Sequence, residues 1–170
     1  MSARVGLGWD THAFAEGRRL VIGGVSIDHG RGLVGHSDAD VLAHAVCDAV
    51  LGAAALGDIG AHFPDTDPQW QGADSIELLA RCAALVTERG YSLINVDATV
   101  IAEEPLMGAH REQMVANLSG AMVLGVDQVN VKFTRGEGMG YLGRAEGIAA
   151  LATAAIEPVE ADDPRTAGSD

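Results

Sequence analysis

Aromatic residues are scarce, with three Phe, two Tyr and two Trp among 170 positions. A core with so few rings relies on small aliphatic side chains. Alanine-rich helices pack closely but bury little area each, which makes self-association a natural source of further burial. Cysteine is nearly absent. Cys47 and Cys82 lie far apart in alanine-rich, helix-like segments, which fits buried free thiols in a reducing cytoplasm and argues against a disulfide frame. Long hydrophobic runs are missing too: Gly, Asp, Arg or Glu interrupts every apolar stretch before the roughly 20 residues that a membrane-spanning helix needs. The amino end shows no basic segment followed by an apolar core and a cleavage site. A soluble, cytoplasmic protein is the expectation.

Positive charge is in short supply, with 11 Lys and Arg against 24 Asp and Glu and a net charge of −13. From Glu157 to Asp170, five acids and one Arg contribute −4 of this and leave −9 for the rest. Nucleic acids and anionic membranes are held by clustered cations, so neither is expected as a partner. A polyanionic small molecule would need metal ions and a few placed cations to be held by so acidic a body.

With 48% hydrophobic residues, the chain suffices for one compact domain. Arg4–Trp9 alternates like a strand, and Leu20–Ile22 with Val25–Ile27 flanks Gly23-Gly24 like a hairpin. Ser37 to Asp40 supplies start signals for an alanine-rich helix over Val41–Leu56, with Gly57 as its stop. Gly60 to Gly72 reads as a functional loop, and Asp74-Ser-Ile-Glu77 as a capping box opening a second helix to Arg89. Leu93–Ala102 predicts a strand, the segment from Pro105 to Leu124 a third helix, and Val129–Thr134 another strand. A Gly-punctuated turn over 135–147 then leads into an expected final helix ending near Glu157. Strand and helix alternate in an α/β or α+β domain over residues 1–157, with 158–170 as an acidic tail expected to be disordered.

Four constellations carry candidate chemistry. Asp10-Thr11-His12, placed at the end of the first strand, puts a carboxylate and an imidazole on one side of the backbone. A catalytic zinc takes three protein ligands and keeps a position open, so His44 is the natural third, with Asp48 one turn on as the carboxylate that orients it. A turn-capping Asp10, a surface His12 and a core His44 are the bland alternative. His36-Ser37, just before the helix, marks a phosphate seat at a helix amino terminus, although Ser37 or Asp38 also serves simply as a cap. Asp58 can bind polyol hydroxyls while Asp65 and Asp67 organise their turn, or all three are ordinary turn residues. After the later strand, Thr134 and Arg135 can donate to phosphate and Glu137 can take a hard cation such as magnesium, unless the glycines there mark only a flexible turn.

Taken in order, Asp10-x-His12, Gly35-His-Ser-Asp-Ala-Asp40, His44, Ala53-Ala-Ala-Leu-Gly-Asp-Ile-Gly60, Phe63-Pro-Asp-Thr-Asp67 and Gly143-Arg-x-Glu-Gly147 resemble the 2-C-methyl-D-erythritol 2,4-cyclodiphosphate synthase family over about residues 4–156. The resemblance implies a single-domain α+β sandwich, with a mixed sheet on one side and helices on the other, assembling as a homotrimer. It further implies a metal-dependent, cyclising phosphorus–oxygen lyase of the non-mevalonate isoprenoid pathway, acting on a cytidine diphosphate substrate and releasing CMP. Zinc (or manganese) is then expected at Asp10, His12 and His44, and magnesium (or manganese) near Glu137. His36 would stabilise developing charge, with Ser37 beside it. Asp58, Ile59, Gly60, Phe63, Asp65 and Asp67 would hold the polyol part. Ala102 to Met107 and Lys132 to Glu137 would form the nucleotide pocket, with Tyr141 also on substrate. Arg144 would face a threefold channel open to an isoprenoid diphosphate.

Two departures stand out. Leu106 replaces the family's usual Lys, and Thr134-Arg135-Gly136-Glu137 replaces its consecutive threonines. Arg135 is therefore expected to reach the α-phosphate and restore the charge lost at Leu106. The departures leave two other readings open: a cyclase with a shifted nucleotide or polyol, and a non-catalytic trimer that binds isoprenoid diphosphates.

Overall fold

The computed structural model describes residues 2–159. In chain order, its elements are β1 (Arg4–Glu16), β2 (Leu20–Ile22), β3 (Val25–Ile27), β4 (Arg31–Leu33), α1 (Val41–Ala53), α2 (Ile59–His62), α3 (Ser75–Glu88), β5 (Tyr91–Ile101), α4 (Arg111–Met122), β6 (Val129–Thr134), α5 (Gly140–Gly143) and β7 (Gly147–Pro158). Five strands form one sheet in the order β4-β1-β7-β5-β6, antiparallel except for the parallel β5–β6 pair, and β2–β3 form a separate hairpin. The α1 helix packs on β1 and β7, α3 on α1 and β5, and α4 on α3 and β6. The expected α+β sandwich with a mixed sheet is what forms. The tail expected to be disordered lies, from residue 160 on, outside the described residues.

Period-2 alternation in β1 sends Gly6, Gly8, Asp10 and His12 to the helix side, and Val5, Leu7 and Trp9 to the uncovered side, where they are exposed. The two glycines set the spacing of the layers. A Cβ on Gly6 would lie 2.0 Å from the Ala49 carbonyl oxygen, and one on Gly8 would lie 1.9 Å from that of Ala45. Only hydrogen side chains allow α1 to rest its backbone on the strand.

At the amino end of α1, Asp40 is wholly buried as the N-cap. Its carboxylate accepts from Leu42 N–H at 3.1 Å, Ala43 N–H at 3.0 Å, Gly23 N–H at 2.9 Å and Gly24 N–H at 2.6 Å. One side chain thus closes the helix and pins the β2–β3 turn to it. Ser37 and Asp38 do not cap α1.

Several expectations change. The expected final helix is β7, the centre of the sheet, paired with β1 from Arg4↔Ile156 to Ala13↔Gly147 and with β5 on its other edge. Alanine favours helices, but tertiary packing overrides that preference. Here Ile148, Ala150, Ala152, Ala154 and Ile156 are buried towards the helices while Leu151, Thr153 and Glu157 are exposed. Beneath so close a helix, only small side chains fit. The first strand runs on from Trp9 to Glu16, so Asp10 and His12 sit inside it rather than at its end. The first helix stops at Ala53 instead of Leu56, and the helix expected after Pro105 begins at Arg111 behind a 3-10 turn over Gly108–His110.

Gly8→Ala should therefore cost about 3 kcal/mol of stability, read as a lower urea midpoint at unchanged slope, the upper end of the roughly 1–3 kcal/mol typical of overpacking. Gly52→Ala, also on α1 but with nothing within 4 Å of the added carbon, should instead raise stability by up to about 1 kcal/mol.

Candidate metal centre and adjoining cavity

Three donor atoms converge where β1 meets α1. His12 Nε2 lies 2.9 Å from Asp10 Oδ2, His44 Nδ1 lies 3.0 Å from the same oxygen, and the two imidazole nitrogens are 3.2 Å apart. All three side chains are partly buried. An ion with tetrahedral bonds of about 2.0–2.1 Å spaces its ligands about 3.3 Å apart, so it fits this set after an adjustment of a few tenths of an ångström. The hydrogen bonds behind the rings agree with that fit. His12 Nδ1–H donates to the Val34 carbonyl at 2.6 Å, which turns an Nε2 lone pair to the centre. His44 Nε2 faces the hydroxyls of Ser75 at 2.9 Å and Ser37 at 3.1 Å, which leaves Nδ1 to face inward.

The three groups are also electrostatically coupled to one another. Burial pushes the Asp10 carboxyl upward, but the hydrogen bonds and charges of His12 and His44 outweigh it and hold the group far below the ordinary carboxylate range. Burial likewise depresses His12, yet the hydrogen bond and charge of Asp10 outweigh it and raise the imidazole above its usual value.

Next to this centre lies a cavity of about 330 Å³, lined by His36, Ser37, His44, Ile59, Gly60, Phe63, Pro64, Asp65, Trp70 and Leu78. The phosphate-seat residues and part of the aspartate loop thus meet His44 across one space. The seat is not the helix terminus that was expected, because Asp40 already takes the first-turn amides of α1. What His36 and Ser37 offer a phosphate is their side chains. Asp58 and Asp67 are outside the lining and act as caps, accepting from Ala61 N–H at 2.9 Å and Gln69 N–H at 3.0 Å. Asp48, expected to orient His44, instead accepts from Ile59 N–H at 2.8 Å and ties the loop to α1.

The other expected site residues lie elsewhere. Ala102 and Met107 are buried, Ala102 N–H donates to the Thr134 carbonyl at 3.1 Å, and Leu106 projects with 85% exposure. Thr134, Arg135, Glu137, Tyr141 and Arg144 are exposed and line none of this cavity. Arg135 pairs with Glu103, lowering the Glu103 carboxyl below its usual range, and Arg144 pairs with Glu146 at 2.6 Å. Sequence reasoning missed Trp70, which packs edge-on against Phe63 with ring centroids 5.0 Å apart, and Ser75, which read only as part of a cap. No pattern of spacing marks either one.

Fold and site together define a class: an α+β domain with an Asp-His-His group that could hold a metal ion, beside a cavity lined by His36, Ser37, His44 and the Ile59–Asp65 loop. The YgbB family description matches residues 3–157, and the chain belongs to that family. It is 56% identical over 153 residues to the 2-C-methyl-D-erythritol 2,4-cyclodiphosphate synthase of Alkaliphilus oremlandii (strain OhILAs), covering 90% of this chain and 98% of that one. Among solved structures, it resembles the bifunctional IspDF from Campylobacter jejuni with a TM-score of 0.90 and 42% identity, over 94% of this chain and 43% of that one. It also resembles a CDP-bound 2C-methyl-D-erythritol-2,4-cyclodiphosphate synthase with a TM-score of 0.83 and 37% identity, over 91% of this chain and 100% of that one. The family resemblance read from the motifs is borne out.

His12→Ala removes one of three donors. It should weaken divalent-metal binding beyond the roughly 10–100-fold that loss of a supporting contact produces, as measured by competition with a chromophoric chelator.

Proposed function

We propose that the protein converts 4-diphosphocytidyl-2-C-methyl-D-erythritol 2-phosphate to 2-C-methyl-D-erythritol 2,4-cyclodiphosphate with release of CMP. The observation that carries this reading is the cavity in which His44, one of the three metal-centre residues, His36-Ser37 and the Ile59–Asp65 loop face one another. An oxygen of the 2-phosphate bonds to the β-phosphorus, the bond between that phosphorus and the bridging oxygen breaks, and the electron pair leaves on the α-phosphate of CMP. The nucleophile is already anionic, so the protein's task is to place the two phosphates and offset their charge.

Asp10, His12 and His44 would hold zinc (or manganese), which would supply Lewis acidity towards a phosphate oxygen. Glu137, and with it magnesium (or manganese), belongs to the other half of the site. His36 would donate to the charge building on the transferred phosphate, as the catalytic residue of this half. Ser37 accepts from Ala39 N–H at 3.2 Å, which leaves its hydroxyl proton for a phosphate oxygen. Ile59, Gly60, Phe63 and Asp65 would surround the polyol, with Asp58 and Asp67 shaping their loop. Ala102, Met107, Thr134, Arg135, Glu137 and Tyr141 would receive the nucleotide in a homotrimer in which a neighbouring subunit completes each site. Support for the trimer comes from the uncovered sheet face, where Val5 is 71%, Leu7 64% and Trp9 46% exposed beside Leu151. Arg144 would lie on the threefold channel. No helix among the described residues is long and apolar enough to cross a membrane. A cytoplasmic location and a domain over residues 1–157 complete the proposal.

Incubating the protein with the cytidylyl substrate, zinc and magnesium should yield CMP and the cyclic product in equal amounts. CMP without cyclic product, or no turnover, would defeat the proposal. The pairing of Arg135 with Glu103 favours examining a second reading, a cyclase of shifted nucleotide or polyol, which the same assay separates by substrate. If Arg135 exchanges Glu103 for the α-phosphate, Arg135→Ala should weaken CDP binding by roughly 1.5–3 kcal/mol in calorimetry. Unchanged affinity would remove Arg135 from the pocket.

A further inference from the structure

The metal reading leaves unexplained why Ser75, a polar residue, is wholly buried and why Asp38, which neither caps α1 nor lines the main cavity, points at it. Asp38 accepts from Ser75 N–H at 3.1 Å and from the Ser75 hydroxyl as well, and its own backbone N–H donates to the Ala73 carbonyl at 3.1 Å. The Ser75 hydroxyl proton is therefore committed to Asp38. Its oxygen, 2.9 Å from His44 Nε2, is left as an acceptor, which suits the tautomer that carries the ring proton on Nε2. The protonation of Nε2 leaves the Nδ1 lone pair on the side of Asp10 and His12.

We infer that Asp38 and Ser75 are positioning residues for the metal centre, an Asp–Ser relay that fixes the tautomer and ring orientation of His44. The inference rests on the metal reading of Asp10, His12 and His44. Carboxylates that orient metal-bound imidazoles usually accept directly from the ring. Here, a serine hydroxyl stands between them. The relay crosses from the loop before α1 to the first turn of α3, so the distance between those two elements is transmitted to the ring. The cavity loop lies between them in sequence. It is tied to the same pair by the Gly72 N–H donating to the His36 carbonyl at 2.9 Å. Arg18 holds the loop before α1 from behind, donating to the carbonyls of Gly35 at 3.1 Å and Ser37 at 3.3 Å.

Two measurements test the relay. In metal-free protein above the imidazole titration range, long-range proton–nitrogen NMR should show the His44 proton on Nε2; a proton on Nδ1 would overturn the inference whether or not any variant folds. In zinc competition with a chelator, Ser75→Ala should raise the dissociation constant about 10–100-fold, and Ser75→Cys, which restores a weak acceptor of similar size, should recover part of it. Unchanged zinc affinity in Ser75→Ala, with affinity lost in His12→Ala, would sink the relay and leave the metal centre standing. Unchanged affinity in both would refute the metal centre itself.

Discussion

The rest of the structure hangs on how closely the backbone of α1 approaches that of β1. At Gly6 and Gly8 the strand offers no side chain to the helix, and the carbonyl oxygens of Ala49 and Ala45 lie only 2.0 and 1.9 Å from where a Cβ would stand. The approach fixes the height of everything further along both elements. Two residues past Gly8, Asp10 stands on the same face, and one residue before Ala45, His44 leans over it. A separation larger by even one methyl group would pull the imidazole away from the carboxylate, so a packing constraint and a ligand distance are one constraint.

The same closeness explains β7. A central strand lying under α1 needs small inward residues, and alternate positions from Ala150 to Ala154 supply them. Read from sequence alone, the alanines signal a helix, because alanine occupies both phases of the strand and hides the period of two. Only Thr153 and Glu157, both facing out, keep the alternation visible. Helices α1 and α3, the hairpin at Gly23-Gly24 and the β5 and β6 strands were legible because their punctuation is local: caps, glycine stops and β-branched runs.

For the site, residue types were legible and second partners were not. The ligand set Asp10, His12 and His44 was one of two open readings of an i, i+2 pair on a strand and a helical histidine, and the family resemblance decided between them. Which carboxylate supports His44 could not be read. Asp48 has the right helical spacing, but it is held by Ile59 N–H, while Asp38 reaches through Ser75 across more than thirty residues of sequence. Spacing rules describe neighbours on one element and are silent about contacts between a loop and the first turn of another helix. Trp70 was missed for the same reason: its place in the cavity is set by packing on Phe63, not by any motif.

The two halves of the proposed site also differ in how their charge is balanced within one chain. Around the metal centre, Asp10, His12 and His44 are coupled to one another. On the side of the proposed nucleotide pocket, four cations have carboxylates: Lys132 holds Asp97, Arg135 holds Glu103, Arg144 holds Glu146, and Arg31 holds Glu104 at 2.8 Å while also donating to the Ala145 carbonyl at 3.2 Å. These exposed pairs are worth little individually, so a diphosphate can displace a carboxylate at small cost. In the proposed trimer, bringing a metal centre against such a surface places an anion between a bound cation and guanidinium groups that exchange partners. An acidic protein can in this way hold a polyanion with cations that are paired to carboxylates when its site is empty.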